Sequence, residues 1–399
     1  MEKIQWQRNP HKNLHPQTAA IANFREMERA MKFHRTLPDY APTPLASLES
    51  LANYLGLGEI FVKDESYRFG LNSFKILGSS YAIANYLDEE YTKELNSFST
   101  IKEKIKTLPS RVFATATAGN HGLGLAWTVK QFGQQSVVFM PKGSCLRKLD
   151  NLRALGAQAE ITTLNYDDTV QYVSRLAQER NWILIQDTAW DGYVDTPKLI
   201  MQGYLTILGE CLKQLKIIEK EQPTHVILQA GVGSFAGTIV EGLKQLVSTS
   251  IIFIVVEPTK ADCFFQSGCS ADGTVKNASG DLSTMMAGLA CRDPNPIAWN
   301  ILKNIVDCFV TCPDHVAAKG MRILGNPLDK DPRIISGESG AVPLGFLVEV
   351  CKNPLLKDLK KALELNTTSR ILLISTEGDT DPENYRAICW DGKYPTFEE

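Results

Sequence analysis

Eight short apolar runs, separated by segments of helical periodicity, constrain this chain more than any other feature. They are EIFVKD (59–64), VFATA (112–116), SVVFM (136–140), AEITTL (159–164), WILIQD (182–187), THVILQA (224–230), IIFIVV (251–256) and SRILLIS (369–375). Each has the length and the near-continuous apolar character of a strand buried on both faces. Between them, LGLAWTVKQF stops at Gly133 and CLRKLDNLRAL stops at Gly156, each glycine placed as a C-terminal cap. DDTVQYVSRLAQER opens with acidic residues, which suit a helix N-terminus. The alternation predicts an α/β fold of parallel twisted sheets flanked by helices.

At 399 residues the chain exceeds the size at which one core stops growing, so two domains are expected. The polar stretch 86–111 and the helical region after Pro197, which ends near KIIEKEQP, mark two crossings. They predict a large domain of 1–85 and 211–399 and a smaller mobile α/β domain of 86–210.

Composition excludes several classes of partner. The chain is 44% hydrophobic and 22% charged with a net charge of −3, so it has neither a basic footprint for nucleic acid nor a polybasic patch for a membrane. No apolar run approaches the roughly 18 residues of a spanning helix. MEKIQWQRNPHKNLH lacks the apolar stretch of a signal peptide, and a cytoplasmic protein is expected. The nine cysteines are scattered without a CxxC pair, which reads as free thiols in a reducing compartment; a Cys263–Cys291 bridge stays open. The six histidines show no HExxH-type pairing, and no metal site is expected.

Four segments carry chemistry. In SYRFGLNSFKILGSSYA (66–82) a strand gives way to a loop and then to a helix beginning near Ser73, which puts Lys75 in the first helical turn. That end of the macrodipole disfavours a cation and predicts a lowered amine pKa. A neutral amine can form a Schiff base with an aldehyde. A surface lysine placed early in a helix fits the same pattern, but Phe74, Ile76 and Leu77 put this one among apolar neighbours.

QAGVGSFAG (229–237) is a glycine-rich turn from strand to helix, whose amides form an anion site suited to phosphate. Followed by a strand that ends in Glu257, it also fits a dinucleotide fingerprint. A tight turn without a ligand is the third reading. In TATAGNHG (115–122), Thr117, the amides of 118–121 and Asn120 are placed to hold a carboxylate and a cofactor oxygen, whereas His121 at a helix start reads first as packing or capping. In ISTEGDTDP (374–382), Ser375 and Thr376 offer a neutral hydroxyl at a strand end, or simply form a polar turn.

Together and in this order, the four segments resemble the pyridoxal-5′-phosphate (PLP) enzymes of fold type II, from about residue 40 to 382. Within them, RFGLNSFKILG, QDTAWDGY (186–193), IMQGY (200–204) and SGESGAVPLG (336–345) look like the diaminopropionate ammonia-lyases. The resemblance implies that Lys75 carries PLP as a Schiff base and that Asn120 contacts the cofactor's 3′-oxygen. It further implies that Gly231, Val232, Gly233, Ser234 and Phe235 offer amides to the phosphate. Ser375, before Thr376, would meet the pyridine nitrogen. Asp187 would take the α-proton of an L-substrate held by Thr117, Ala118, Gly119 and His121. The implied reaction is α,β-elimination of 2,3-diaminopropionate to pyruvate and two ammonia, in a homodimer acting on a small amino acid.

One departure stands out. The ammonia-lyase pattern reads TATDGNHG, and Ala118 stands here where that aspartate belongs. The family uses this acid on the D-isomer, so the L-isomer is expected to be favoured. A threonine/serine dehydratase-like lyase and a catalytically impaired PLP-binding variant remain alternatives. So does an NAD-dependent dehydrogenase resting on 231–257.

Overall fold

The computed structural model describes residues 2–13, 21–88, 95–117, 119–247 and 250–395. Among the described residues eleven strands form two sheets: β1 (Gln5–Arg8), β2 (Leu45–Ser47), β3 (Glu59–Asp64), β4 (Val112–Ala116), β5 (Gln135–Met140), β6 (Gln158–Ile161), β7 (Ile183–Leu184), β8 (His225–Gln229), β9 (Ile252–Pro258), β10 (Cys308–Cys312) and β11 (Arg370–Ser375). The larger sheet has the order β1-β10-β9-β8-β11-β3-β2 and the smaller β6-β5-β4-β7. All eight anticipated runs contain strands. The larger sheet is not wholly parallel, however: β1 pairs with β10 and β2 with β3 antiparallel, one at each edge.

Strand alternation sorts the apolar side chains into layers. Phe61, Val226, Leu228, Leu372 and Ile374 enter one core, while Ile60, Val62, Ile227, Ile371 and Leu373 enter another on the opposite face. The first core is continuous with one face of the smaller sheet through Phe113, Val138 and Met140. A third cluster, including Ala114, Ala116, Val137 and Phe139, covers that sheet's other face. Helices Lys75–Leu87 and Asp195–Ile217 run through the shared core. The borders drawn from sequence at 85/86 and 210/211 fall inside these two helices.

The caps act where the sequence places them. Gly133 and Gly156 adopt φ of +67° and +92° after helices Asn120–Gln131 and Leu146–Ala154. Asn165 caps helix Tyr166–Glu179, its side chain accepting from the Asp168 amide.

A buried ion cluster anchors the segment that leads to Lys75. The Lys63 ammonium donates to the Thr43 carbonyl, Glu210 and Gln214 at 2.7, 2.7 and 2.8 Å. The Arg68 guanidinium forks onto Glu65 and Glu210 at 2.8–2.9 Å. Glu210 therefore serves two cations with its side chain 2% exposed. Beyond Arg68 the backbone turns through Phe69 and Asn72, both at positive φ. The Asn72 carbonyl accepts from the Gly378 amide at 3.0 Å, and the Phe74 amide donates to the Thr376 carbonyl at 3.2 Å. Removing one member of a buried ion set typically costs about 3–5 kcal/mol, because its partners keep their charge without compensation. Glu210→Ala should lower the free energy of unfolding by that order, read by urea denaturation; a value within about 0.5 kcal/mol of wild type would show the cluster to be dispensable.

Candidate active site

The C-terminal ends of β3, β4, β7, β8 and β11 deliver their loops to one cavity of about 530 Å³, within the usual range for small-molecule sites. Lys75, Asp187, Asn120 and His121 line it, as do Thr117 and Gly119. Residues 231–235 and Thr376 complete the set brought together. Ala118 lies outside the described residues. Ser375 does not border the cavity. It is 1% exposed and donates to Ser336 Oγ at 2.8 Å, so of the two hydroxyls at this strand end it is Thr376 that faces inward. Thr376 Oγ1 accepts from Gln229 Nε2 at 2.8 Å.

Lys75 is the first residue of its helix, as anticipated, but its charge is opposite to the expectation. Its Nζ donates to Asp187 Oδ2 at 2.5 Å. Burial pulls the amine's pKa down, and the neighbouring Asp187 charge with its hydrogen bond outweighs this, lifting Lys75 above its ordinary value. The converse holds for Asp187. Burial raises it, yet the charge of Lys75, with the His121 ring nearby, and the Lys75 hydrogen bond bring it down to about 2. The helix dipole is a partial charge, whereas Asp187 is a full one in contact.

Asp187 is also fixed through its backbone. Its carbonyl accepts from Ser234 Oγ at 2.6 Å, and Ser234 Oγ in turn accepts from Asn295 Nδ2 at 2.8 Å. Thr117 Oγ1 accepts from the Gly119 amide at 3.0 Å, which shapes the turn before helix Asn120–Gln131. His121 Nε2 lies 2.8 Å from the Ile185 carbonyl and must be the donor, leaving Nδ1 as an acceptor. Burial, before any neighbouring charge, lowers the His121 pKa and keeps the ring neutral.

The residues present fit a phosphorylated, polar cofactor. The glycine turn ends at Gly233, with φ +89°, and runs into helix Ser234–Leu246, whose first-turn amides have no acceptor within the helix. A Cβ on Gly233 would come within 2.2 Å of the Phe264 ring, so a side chain there would disrupt the cradle. Gln229 Oε1, His121 Nδ1 and Ser339 Oγ line the cavity as buried polar atoms without a hydrogen-bond partner. Buried polar atoms in such a state await a ligand or water.

Glu257, the acid a dinucleotide reading needs, is unavailable. It is 0% exposed and accepts from the amides of Phe264 and Phe265 at 2.9 and 2.7 Å. Burial, above all else, pushes it up to about 8. Cys263 and Cys291 are both free thiols. Among the described residues, no group of three or more His, Cys, Asp or Glu is placed to hold a metal ion, and no helix is long and apolar enough to cross a membrane.

Sequence reasoning does not single out Gln229, Glu377 or Ser339, which also line the cavity. Gln229 and Glu377 adjoin chemistry-bearing residues in QAGVGSFAG and ISTEGDTDP, and Ser339 lies within SGESGAVPLG. Their neighbours supplied the only signal.

Known proteins agree with this geometry. Residues 36–377 match the family described as pyridoxal-phosphate dependent enzyme. The chain is 47% identical over 379 residues to the diaminopropionate ammonia-lyase of Escherichia coli (strain K12), covering 95% of this chain and 94% of that protein. It is 46% identical over 403 residues to the diaminopropionate ammonia-lyase of Salmonella typhimurium, covering 98% and 99%. The crystal structure of the Escherichia coli enzyme in complex with an aminoacrylate-PLP azomethine reaction intermediate superposes with a TM-score of 0.90 at 45% identity, over 98% of each chain. With its lysine, carboxylate loop and glycine turn gathered on one cavity, the chain belongs to the pyridoxal-phosphate dependent enzymes, in the group of the diaminopropionate ammonia-lyases.

Proposed function

We propose that this protein is a PLP-dependent ammonia-lyase that converts 2,3-diaminopropionate to pyruvate and two ammonia. One observation carries the reading: Lys75 and Asp187 meet at 2.5 Å inside a cavity that also holds the glycine turn. The relatives' activity supports the choice of substrate.

Lys75 would hold the cofactor covalently, and the amides of Gly231–Phe235 its phosphate. Asn120 would meet its ring oxygen and Thr376 its pyridine nitrogen. When bound, PLP supplies an electron sink for the Cα–H bond that breaks. The chain's own residues do the rest. Thr117 and the turn through Gly119 hold the substrate carboxylate, with His121 Nδ1 as a neutral acceptor beside it. Asp187 takes the α-proton. While paired with the Lys75 cation, Asp187 is a weak base, at about 2. Once Lys75 is no longer a cation, burial is the largest influence left, and Asp187 rises toward a pKa useful for proton abstraction. A neutral hydroxyl at the pyridine nitrogen, rather than an acid, favours elimination over transamination.

Preference for the L-isomer belongs to the same proposal. Asp187 supplies a base on one side, whereas Ala118 has no proton to exchange where the family carries an aspartate. A homodimer follows from the family resemblance. The free thiols suit a reducing cytoplasm. Movement of the smaller sheet against the larger would open and close the cavity between them.

Pyruvate release from L-diaminopropionate, L-serine and L-threonine, assayed side by side, tests the reaction. Diaminopropionate should be turned over fastest, and faster serine or threonine turnover would reassign the chain to the dehydratases. Asp187→Asn should cut kcat on L-diaminopropionate by roughly 10²–10⁴-fold, the worth of general-base assistance; an unchanged kcat would remove Asp187 from proton transfer. Ala118→Asp should raise turnover of D-diaminopropionate by a similar order, about 10²-fold or more. No gain would show that this position does not decide stereochemistry.

A further inference from the structure

Outside the groups already given roles, the cavity wall contains a buried carboxylate that joins the two sheets. Glu377 follows β11 of the larger sheet and is 6% exposed. Its Oε2 accepts from Asn120 Nδ2 at 2.5 Å, and Asn120 follows β4 of the smaller sheet. Its Oε1 accepts from the Ser339 amide at 3.2 Å, in the first turn of helix Glu338–Lys352, where the macrodipole favours an anion. The Glu377 carbonyl accepts from the Gly337 amide at 2.9 Å, and Glu377 pairs with Ser73, two residues before Lys75. The local sequence leaves room for it. A Cβ on Gly337 would sit 3.0 Å from Glu377 Cγ, and one on Gly340 would sit 3.1 Å from the Glu377 carbonyl oxygen.

We propose that Glu377 is a positioning residue that fixes the orientation of the Asn120 amide, so that Asn120 presents an N–H, and never its oxygen, to an anionic ring oxygen of the cofactor. The inference rests on the PLP reading above. An asparagine amide has two N–H donors on one side and an acceptor on the other, and it can rotate end for end. Both Glu377 oxygens accept, one from the Ser339 amide and one from Asn120 Nδ2, so the nitrogen of Asn120 faces Glu377. One N–H is then committed to Glu377, and the second remains for a ligand. Among the described residues Asn120 Oδ1 has no hydrogen-bond partner, and the residue lines the cavity, so no described group holds the amide from its oxygen side. Glu377 alone decides which end faces the ligand. Because the pair spans the two sheets, the same contact fixes the smaller sheet's helix Asn120–Gln131 against the strand end that bears Thr376.

A double-mutant cycle on cofactor affinity tests this. Apo-protein is titrated with PLP for wild type, Glu377→Gln, Asn120→Ala and the double variant, with the visible spectrum recorded at saturation. Glutamine keeps the shape of glutamate but offers an N–H to Asn120, which lets the amide turn over. Glu377→Gln should weaken PLP binding roughly tenfold or more, the worth of a charged hydrogen bond, and should alter the bound-cofactor bands. The double variant should bind no more weakly than Asn120→Ala alone. Wild-type affinity in Glu377→Gln, or losses that multiply in the double variant, would overturn the proposal. Should Glu377→Gln fail to fold, Glu377→Asp, which withdraws the carboxylate by one methylene, carries the same cycle with the same two criteria. A wild-type protein that takes up no PLP would instead defeat the cofactor reading, and this inference with it.

Discussion

Parallel pairing is the constraint on which the site depends. Strands β3, β11 and β8 lie side by side and run the same way, as do β4 and β7 in the smaller sheet. Every loop at their C-terminal ends therefore emerges at one edge of its sheet. The shared core then sets the two edges face to face. Lys75, Asn120, Asp187, the glycine turn and Thr376 come from five separate stretches of chain, yet no long excursion is needed to assemble them. The ion cluster around Glu210 contributes at one point only, where the chain leaves β3. It holds the segment between Arg68 and Lys75 through a turn that two non-glycine residues make at positive φ. Such a turn is costly unless its flanks are fixed.

The sites also share their electrostatics. Lys75 and Asp187 each cancel the burial penalty of the other, and the pair is tolerated in a cavity where either charge alone would be expelled. Mutual dependence makes the pair responsive: a change that removes the amine's charge without protonating Asp187 makes the carboxylate a stronger base. His121 stays neutral beside them because burial outweighs the Asp187 charge. The cavity thus sets one labile ion pair beside neutral polar groups such as Gln229 and Thr376, with the Glu377 carboxylate in its wall.

How much of this the sequence reveals depends on the range of the interaction involved. Strands with mostly buried residues, β3, β4, β5, β8, β9 and β11, announce themselves by composition, whereas β6 and β7, part-exposed edge strands of the smaller sheet, were legible only from the longer apolar runs that contain them. β1, QWQR, and β2, LAS, were not, since a short edge strand is defined by its partner and not by its own pattern. β10, CFVTC, did carry a signal in its five buried residues between Asp307 and Pro313. The position of Lys75 in its helix was legible, because capping and periodicity are local. Its charge was not, because Asp187 lies 112 residues away in sequence. The choice between Ser375 and Thr376 turned on which side chain points out of the sheet where β11 ends, which a strand's interior periodicity does not fix. Glu377 was invisible for a related reason: its meaning lies in Asn120, 257 residues distant.

Among the described residues Lys63 and Lys75 lie on adjacent segments, and their surroundings differ in what each nitrogen is free to do. Lys63 is 0% exposed, and its three donors are matched by three acceptors: a carbonyl, a carboxylate and an amide oxygen. An ammonium so satisfied has no proton to lose cheaply and no path to an incoming carbonyl. Among the described residues Lys75 has a single acceptor at its nitrogen, and it has a side chain 21% exposed and an open cavity beyond. Its one partner is also the group able to receive its proton. Losing that proton turns Lys75 into a free amine and leaves Asp187 neutral, so neither remains as an unpaired buried charge. Reactivity here arises less from a strongly perturbed amine than from an ion pair that can collapse by a single proton transfer where a ligand can reach it.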